Sequence, residues 1–216
     1  MKITIKKNVE NNVEELRSMS LSDLYSWAKE NNYDNRSAFP RFKKALNENG
    51  INYDAMKREK DLKKENELKS KCNYKTTFII DGAAKHDRYA ICDEDGNPVW
   101  HGRFFENDYD YNGEQSTSEF ATAKKAIWLA SKIKDAINEP SIELELRTDA
   151  EWLCWANSDD GRGGKAKQLK VQANKLNVIL DVVHIEGASN PADHYSRTQG
   201  FKKWQDNDLV ALAKLK

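Results

Sequence analysis

Four acidic side chains lie at places where a predicted strand ends or a predicted helix begins. Asp81 ends the run KTTFII, and Asp149 ends the run SIELELRTD. Glu119 lies one turn into a long helical stretch, and Asp193 opens the last predicted helix. In open α/β sheets the functional crevice lies beyond the carboxyl ends of the parallel strands. If the strands of Asp81 and Asp149 are parallel neighbours, their carboxylates emerge side by side there.

A cluster of carboxylates is suited to hard divalent cations. Mg²⁺ prefers oxygen ligands in octahedral geometry and retains several waters. Two such ions about 4 Å apart can activate a water and stabilise the leaving oxygen of a phosphodiester. Each acid taken singly is also explained by turns, helix caps or the helix dipole. The order Asp, Glu, Asp, Asp at four element boundaries is what favours a two-metal site.

The pattern from Tyr74 onwards predicts the element order β-β-β-α-β-α-α-β-α. KTTFII is typical of a short buried strand, and RYAICDEDGNPVWHGRFF alternates apolar residues on both sides of a turn. Apolar residues at helical spacing from Ser118 to Ile137 precede the alternating run SIELELRTD. AEWLCWAN and KAKQLKVQANKL are predicted helices, and NVILDVVHIEG is a fifth strand. A hairpin followed by alternating strands and helices predicts an α/β fold whose five-stranded mixed sheet is flanked by helices.

The first part of the chain has a different pattern. Residues 20–23, SLSD, resemble a capping box before an apolar stripe, and a second helix is predicted from near Ser37 to Gly50. The stretch that follows is almost entirely charged with both signs alternating, which is typical of a solvated helix. We expect a small helical N-terminal region in residues 1–55, a charged linker helix in 56–73, and a domain that carries the four acids in 74–216.

Composition excludes several classes of protein. The 35 Lys and Arg residues balance 35 Asp and Glu residues, so the net charge of zero provides no global attraction to nucleic acid. The three cysteines, Cys72, Cys92 and Cys154, have no metal-ligand spacing and favour a reducing compartment. No apolar run approaches the ~20 residues of a membrane span, and the N-terminus lacks the apolar core of a signal peptide. We expect a cytoplasmic protein without a membrane partner.

From about Thr76 to Arg197 the chain resembles a type 1 ribonuclease H domain. The order of elements agrees, and so do the strings FIIDGAA, STSEFATAKKAIWLA and LRTDAEWL around the first three acids. HIEGASNPADHYSR is similar to the last segment of ribonuclease H domains in retroelement reverse transcriptases, where a glycine loop leads to Ala-Asp and then Ser-Arg. The resemblance implies a ribonuclease H-like fold, preceded here by a helical region that the resemblance does not cover.

The resemblance also implies the reaction. Family members use two Mg²⁺ ions, for which Mn²⁺ substitutes, to cleave the RNA strand of RNA–DNA hybrids and leave a 5′-phosphate. By position, the implied catalytic metal ligands are Asp81, Glu119, Asp149 and Asp193. Many cellular members carry a histidine in the glycine loop, thought to assist turnover, at a position that is Ala188 here. This departure from the family pattern concerns the rate of turnover more than hydrolysis itself, for which the metal ions provide the main electrostatic stabilisation.

Residues that contact the substrate are implied in the same way. Gly82 and Ala83 match backbone positions that approach the RNA 2′-hydroxyls. Gln115 and Ser116 match polar side chains in the minor groove. The loop DDGRGGKAK, with Arg162 and Lys165, is the nearest counterpart of the basic protrusion of some bacterial members. These two cations are candidates for phosphate contacts or for a solvated helix face.

Four tryptophans lie on predicted strand or helix faces: Trp100, Trp128, Trp152 and Trp155. Large aromatic residues in such positions are more often core residues than platforms for stacked bases. We expect all four in the core.

Other functions are compatible with parts of this pattern. An integrase or transposase on the same fold has a glutamate as its last acid, whereas the glutamate here comes second. A proofreading exonuclease has Asp-x-Glu on its first strand, where this chain has Asp81, Gly82 and Ala83. A non-catalytic nucleic-acid-binding module and a DNA-directed nuclease remain open. The N-terminal helices are candidates for binding DNA, RNA or a protein.

Overall fold

The computed structural model of the chain describes residues 4–105, 108–158 and 164–216. The chain divides into two compact units, Met1–Lys64 and Glu65–Lys216. In these ranges no helix combines the length and the apolar composition needed to cross a membrane.

The N-terminal unit consists of short helices around a small apolar core. Its helices are α1 (Ile5–Asn11), α2 (Val13–Ser18), α3 (Leu21–Glu30), α4 (Phe39–Glu48) and the first part of α5 (Tyr53–Ser70). The predicted capping box is present, because Ser20 and Asp23 each accept a hydrogen bond from the other's backbone N–H. Trp27 and Phe42 stack in the core with their ring centroids 5.6 Å apart. The helices α1 and α2 were not predicted, since seven and six residues are too few for a clear periodic pattern.

The larger unit contains a mixed sheet in the order β3-β2-β1-β4-β5. Its strands are β1 (Tyr74–Ala83), β2 (Arg88–Cys92), β3 (Pro98–Arg103), β4 (Ile142–Thr148) and β5 (Val178–His184). Strand β2 is antiparallel to both of its neighbours, whereas β1, β4 and β5 are parallel. The predicted fold class, a ribonuclease H-like α/β fold with a five-stranded mixed sheet and a small helical N-terminal region, is confirmed. A two-residue strand β6 (Lys214–Leu215), which was not predicted, pairs antiparallel with the start of β1.

Helices cover both faces of this sheet. On one face lie α6 (Gln115–Ala136), α7 (Lys167–Lys175) and α9 (Asp206–Ala211), and on the other lies α8 (Pro191–Arg197). Phe78 and Ile80 of β1 pack on the α6 side, while Ile79 packs beside Ala192 of α8. Successive side chains of a strand point to opposite faces. Asp81 therefore belongs to the α8 face. The predicted helix AEWLCWAN is a 3₁₀ helix, Glu151–Asn157.

A lysine is buried within the larger core. The side chain of Lys125 forms an ion pair with Asp108 at 2.5 Å, and only 3% of the residue is exposed. Its Nζ lies 4.5–4.7 Å from the ring centroids of Tyr89, Trp100 and Tyr109. Burial lowers the pKa of Lys125, and the pairing with Asp108 opposes that effect. The pair and the three rings hold the turn before α6 against the sheet.

Candidate active site

Asp81 and Asp149 lie at the same level of the two central parallel strands. The last paired residues of β1 and β4 are Ile79 and Arg147, and each aspartate lies two residues farther along its chain. Residues two apart along a strand face the same side of a sheet. The parallel pairing on which the sequence argument depended is therefore present, and it brings the two aspartates to one edge of the sheet.

Asp81 is a buried carboxylate among like charges. It is 9% exposed, and the Ser196 hydroxyl donates a hydrogen bond to it. Burial raises the pKa of Asp81, the Ser196 hydrogen bond opposes this, and the charges of Asp149 and Asp193 raise it further. Arg197 has a smaller opposing effect on the pKa. Three aspartates thus share one electrostatic environment, in which a cation would favour the ionised form of Asp81.

Asn190 connects Asp149 to the start of α8. Its Nδ2 lies 3.2 Å from Asp149 Oδ1 and 3.1 Å from the Ile80 carbonyl oxygen. Its Oδ1 accepts a hydrogen bond from the Ala192 N–H at 3.0 Å, which caps α8. Because Asn190 is only 6% exposed and both ends of its amide are occupied, it fixes the Asp149 carboxylate relative to β1 and α8.

Asp193 lies in the first turn of α8, which begins at Pro191 as the sequence predicted. Its carboxylate forms an ion pair with Arg197 one turn later, and the Arg197 side chain is 63% exposed. An exposed pair of this kind contributes at most about 1 kcal/mol. Asp193 can therefore exchange Arg197 for another cation at little cost.

Glu119 approaches the same edge of the sheet from α6. Trp152 Nε1 donates to Glu119 Oε2 at 2.5 Å, and Gln115 Nε2 donates to Glu119 Oε1 at 3.0 Å. The close approach of α6 to β1 requires Gly82. A Cβ there would lie 2.4–2.7 Å from backbone atoms of Ser118 and Glu119, closer than any side chain tolerates.

The predicted substrate contacts at the end of β1 lie close to Glu119. Gln115 Nε2 donates to the Gly82 carbonyl oxygen at 2.6 Å, and its Oε1 accepts from the Ala84 N–H at 3.2 Å. Ala83 is buried at the last position of β1. Ser116 is exposed in the first turn of α6 and forms no side-chain hydrogen bond within the part of the chain that the structure covers. The roles of these residues toward substrate stay predictions.

The basic loop and the tryptophans differ in part from expectation. Arg162 lies outside the described residues. Lys165 is exposed, and its Nζ lies 4.9 Å from the centroid of the Phe120 ring. Trp155 is 47% exposed, so its assignment to the core was wrong. The reason is that a 3₁₀ helix has three residues per turn and presents different residues to the core than an α-helix does.

The chemistry of the donors suits a hard cation, although no complete ligand set is assembled. Among residues 4–105, 108–158 and 164–216, no group of three or more His, Cys, Asp or Glu side chains lies close enough to hold a metal ion. Asp81 and Asp149 offer only oxygen donors, as Mg²⁺ prefers. Glu119 and Asp193 are each engaged by other side chains of this chain. The structure therefore brings Asp81 and Asp149 together, with Asp193 near enough for its charge to raise the pKa of Asp81.

Sequence reasoning missed the residues that hold these carboxylates: Trp152, Asn190, Ser196 and Arg197. Two of them have a recognisable local signal. An asparagine directly before a helix-starting proline is a typical N-cap, and an arginine four residues after an aspartate is a typical helical ion pair. The contacts of Trp152 and Ser196 join segments 33 and 115 residues apart, so only the tertiary structure reveals them.

The chain matches no family model and no curated protein. Among solved structures it is similar to the crystal structure of RNase H1 from the halophilic archaeon Halobacterium salinarum NRC-1. The TM-score is 0.32 and the identity 18%, and the similarity covers 56% of this chain and 94% of that one. The ribonuclease H-like architecture of the chain follows from the strand order β3-β2-β1-β4-β5 and from the directions of the strands.

Proposed function

We propose that the chain is a divalent-metal-dependent endoribonuclease that hydrolyses the RNA strand of RNA–DNA hybrids in the cytoplasm. The observation that carries the proposal is the placement of Asp81 and Asp149 at one level of two parallel strands, with Asp193 close enough to raise the pKa of Asp81. The strings that resemble ribonuclease H surround these same residues. Residues 74–216 would be the catalytic domain, and 56–73 a linker. Residues 1–55 would bind nucleic acid or a protein.

The carboxylates would hold two Mg²⁺ ions, with Mn²⁺ as a substitute. Asp81 and Asp149 would be metal ligands, Glu119 would hold the ion that serves the leaving group, and Asp193 would hold the ion that serves the attacking water. When bound, the ions supply a water activated for attack and neutralise charge on the leaving 3′-oxygen.

The chain's own residues hold the carboxylates ready. Ser196 donates to Asp81 and favours its ionised form, which opposes the effect of burial on its pKa. Asn190 orients Asp149, and Trp152 orients Glu119. Hydrogen bonds to metal-ligating carboxylates commonly raise metal affinity or activity 10- to 100-fold.

The substrate would lie along the end of β1. The backbone at Gly82 and Ala83 would face the RNA 2′-hydroxyls, the groups that distinguish RNA from DNA. Gln115 and Ser116 would lie in the minor groove, and the basic side chains of Arg162 and Lys165 would contact phosphates. Gln115 already contacts both the Gly82 carbonyl oxygen and Glu119, so it would link binding of the strand to the site.

The test is a labelled RNA–DNA hybrid incubated with the folded protein and Mg²⁺ or Mn²⁺, beside DNA and RNA duplexes. We expect cleavage of the RNA strand of the hybrid, 5′-phosphate ends, and loss of cleavage in Asp81→Asn. Cleavage of the DNA duplex instead would reassign the chain as a DNA nuclease. Binding of the hybrid without cleavage under either metal would identify a non-catalytic nucleic-acid-binding module.

A further inference from the structure

A basic cavity lies on the α8 face of the sheet, next to the carboxylates. It has a volume of about 490 Å³ and is lined by His86, Arg88, Arg103, Arg197, Gln199 and Gly200. Three of these residues are arginines and one is a histidine, and no acidic residue of the described chain lines the cavity.

The sheet register places this cavity close to Asp81. Arg88 pairs with Arg103 across β2 and β3, and it also pairs with Ala83 of β1. Asp81 lies two residues before Ala83 and therefore shares its face of the sheet with Arg88. From a rise of ~3.4 Å per residue and a strand spacing of ~4.8 Å, the Cα atoms of Asp81 and Arg88 are about 8 Å apart.

Two of the three arginines, Arg88 and Arg103, have no carboxylate partner among the residues that the structure describes. Arg88 is 7% exposed, and one of its amino groups donates to the Gly200 carbonyl oxygen. Its Nε is buried without a hydrogen-bond partner, and no carboxylate of the described residues pairs with it. Arg103 is exposed, and its side chain forms no hydrogen bond or ion pair with any residue that the structure describes.

Among the described residues, the nearest acids do not pair with Arg88 or Arg103. Asp87 accepts a hydrogen bond from the Tyr111 hydroxyl at 2.5 Å, on the α6 side, and Asp193 is paired with Arg197. Burial lowers the pKa of His101, which pairs with Ala90 on the same face, and the charges of Arg88 and Lys202 lower it further. A buried cation such as Arg88 is unfavourable without a counter-ion, so the cavity favours an anion.

We propose that this cavity binds one backbone phosphate of the nucleic-acid strand that enters the carboxylate site. The identity of that strand rests on the function proposed above, whereas the affinity for a phosphate rests on the arginines alone. Guanidinium groups bind phosphate oxygens through paired, charge-assisted hydrogen bonds.

Binding of a labelled hybrid over a series of salt concentrations tests the proposal in a chelator, where no cleavage occurs. We expect Arg103→Ala to weaken binding about five- to tenfold. The plot of log affinity against log salt should become less steep by roughly 0.7–0.9, which corresponds to the loss of one phosphate contact. Lys75→Ala is the matched control, because Lys75 is an exposed cation at the opposite end of β1. It should leave the slope unchanged.

A second measurement uses the unchanged protein, because replacing the buried Arg88 can unfold the sheet. Titration with inorganic phosphate should shift the ¹⁵N signals of the Arg88 and Arg103 Nε–H groups. A shift with phosphate but no effect of Arg103→Ala on hybrid binding would assign the cavity to free anions and overturn the proposal. An equal fall in slope for Lys75→Ala would also overturn it, since the effect would then be one of overall charge.

The outcomes separate this proposal from the proposed function. If the hybrid is not cleaved with any metal but Arg103→Ala reduces the slope, the phosphate site stands and the nuclease does not. If the hybrid is cleaved and Arg103→Ala retains both the slope and KM, the nuclease stands and the phosphate site is refuted.

Discussion

Replacing Asp81 by Asn tests whether the aspartates at the strand ends repel one another when no cation is bound. Burial and the charges of Asp149 and Asp193 raise the pKa of Asp81 in the folded protein. The folded state therefore binds this proton more tightly than the unfolded state does. As a result, the free energy of unfolding falls as the pH rises from the ordinary pKa of an aspartate, about 3.9, through the raised pKa of Asp81 in the folded protein. It remains lower at higher pH. Asp81→Asn abolishes this loss.

The size of the effect follows from the sheet. Asp81 and Asp149 occupy neighbouring strands at one level, and strands lie ~4.8 Å apart. Two like charges about 5 Å apart repel by roughly 3 kcal/mol at an effective dielectric constant of 20. Ser196 and Arg197 offset part of this repulsion. We expect the variant to gain on the order of 1 kcal/mol near pH 7.5, or about 2–4 °C in Tm for a chain of this size.

The assay is unfolding by heat and by urea, in a chelator, at a series of pH values. The difference between Asp81→Asn and the unchanged protein should be present at pH 7.5 and vanish below about pH 3.5, where the carboxyl is protonated in both states. Asp95→Asn is the control, because Asp95 is exposed in the hairpin turn between β2 and β3. That substitution should alter the free energy of unfolding little at any pH.

Added Mg²⁺ should reverse the order of stability. A cation that binds the folded state at 100 times its Kd stabilises it by about 2.7 kcal/mol. The unchanged protein should gain stability with Mg²⁺, and Asp81→Asn should gain much less. If Asp81→Asn is less stable than the unchanged protein in chelator at pH 7.5, and Mg²⁺ stabilises both equally, the carboxylates do not form a repulsive, cation-binding cluster.

Three further substitutions probe the structure around this site. Gly82→Ala should cost about 1–3 kcal/mol in urea unfolding, because the new methyl group meets the α6 backbone, whereas Gly164→Ala has open space and should cost little; equal losses would refute the close approach. Lys125→Met should cost about 3–5 kcal/mol, because it leaves the carboxylate that pairs with Lys125 inside the protein without a partner. A double variant that also replaces this carboxylate residue by Leu should recover most of the lost stability. A single variant as stable as the unchanged protein would show that the pair contributes nothing. Trp152→Phe removes the indole donor to Glu119, and its kcat on the hybrid should fall about tenfold at nearly constant KM; an unchanged kcat would exclude that role.

The larger unit could be predicted from the sequence because its local patterns agree with its tertiary structure. The alternation in SIELELRTD continues as the alternating burial of β4, and the apolar run KTTFII lies in β1, which is covered on both faces. Strands β1, β4 and β5 alternate with helices, which favours the parallel pairing that the structure has. The helices and strand that were missed are very short: six or seven residues in α1, α2 and α9 and two in β6. Such elements depend on packing rather than on their own pattern.

The positions of the four acids could be predicted, but their surroundings could not. Asp81 and Asp149 lie together because each follows the end of a strand and the two strands are parallel neighbours. The strand ends and the alternation of strands with helices can both be recognised in the sequence. The hydrogen bond from Trp152 to Glu119 depends on how closely α6 approaches the segment after β4. Trp152 looked like a core residue because its large apolar surface is what a sequence pattern reports. The single N–H that contacts Glu119 contributes nothing to that pattern.

The basic cavity likewise could not be predicted from the charged residues of the sequence alone. A net charge of zero provides no global attraction to nucleic acid. The predicted hairpin implies that the strands of Arg88 and Arg103 pair, but the register that sets these two residues opposite each other, with its shift at Ile91 and Cys92, is seen only in the folded sheet. Antiparallel pairing brings these two cations together, and the close approach of Gly200 occupies one of Arg88's donors without neutralising its charge. What distinguishes this cavity from an ordinary charged surface is that no acid of the described residues pairs with Arg88 or Arg103. That property belongs to the folded chain, because only folding determines which acids are near enough to pair.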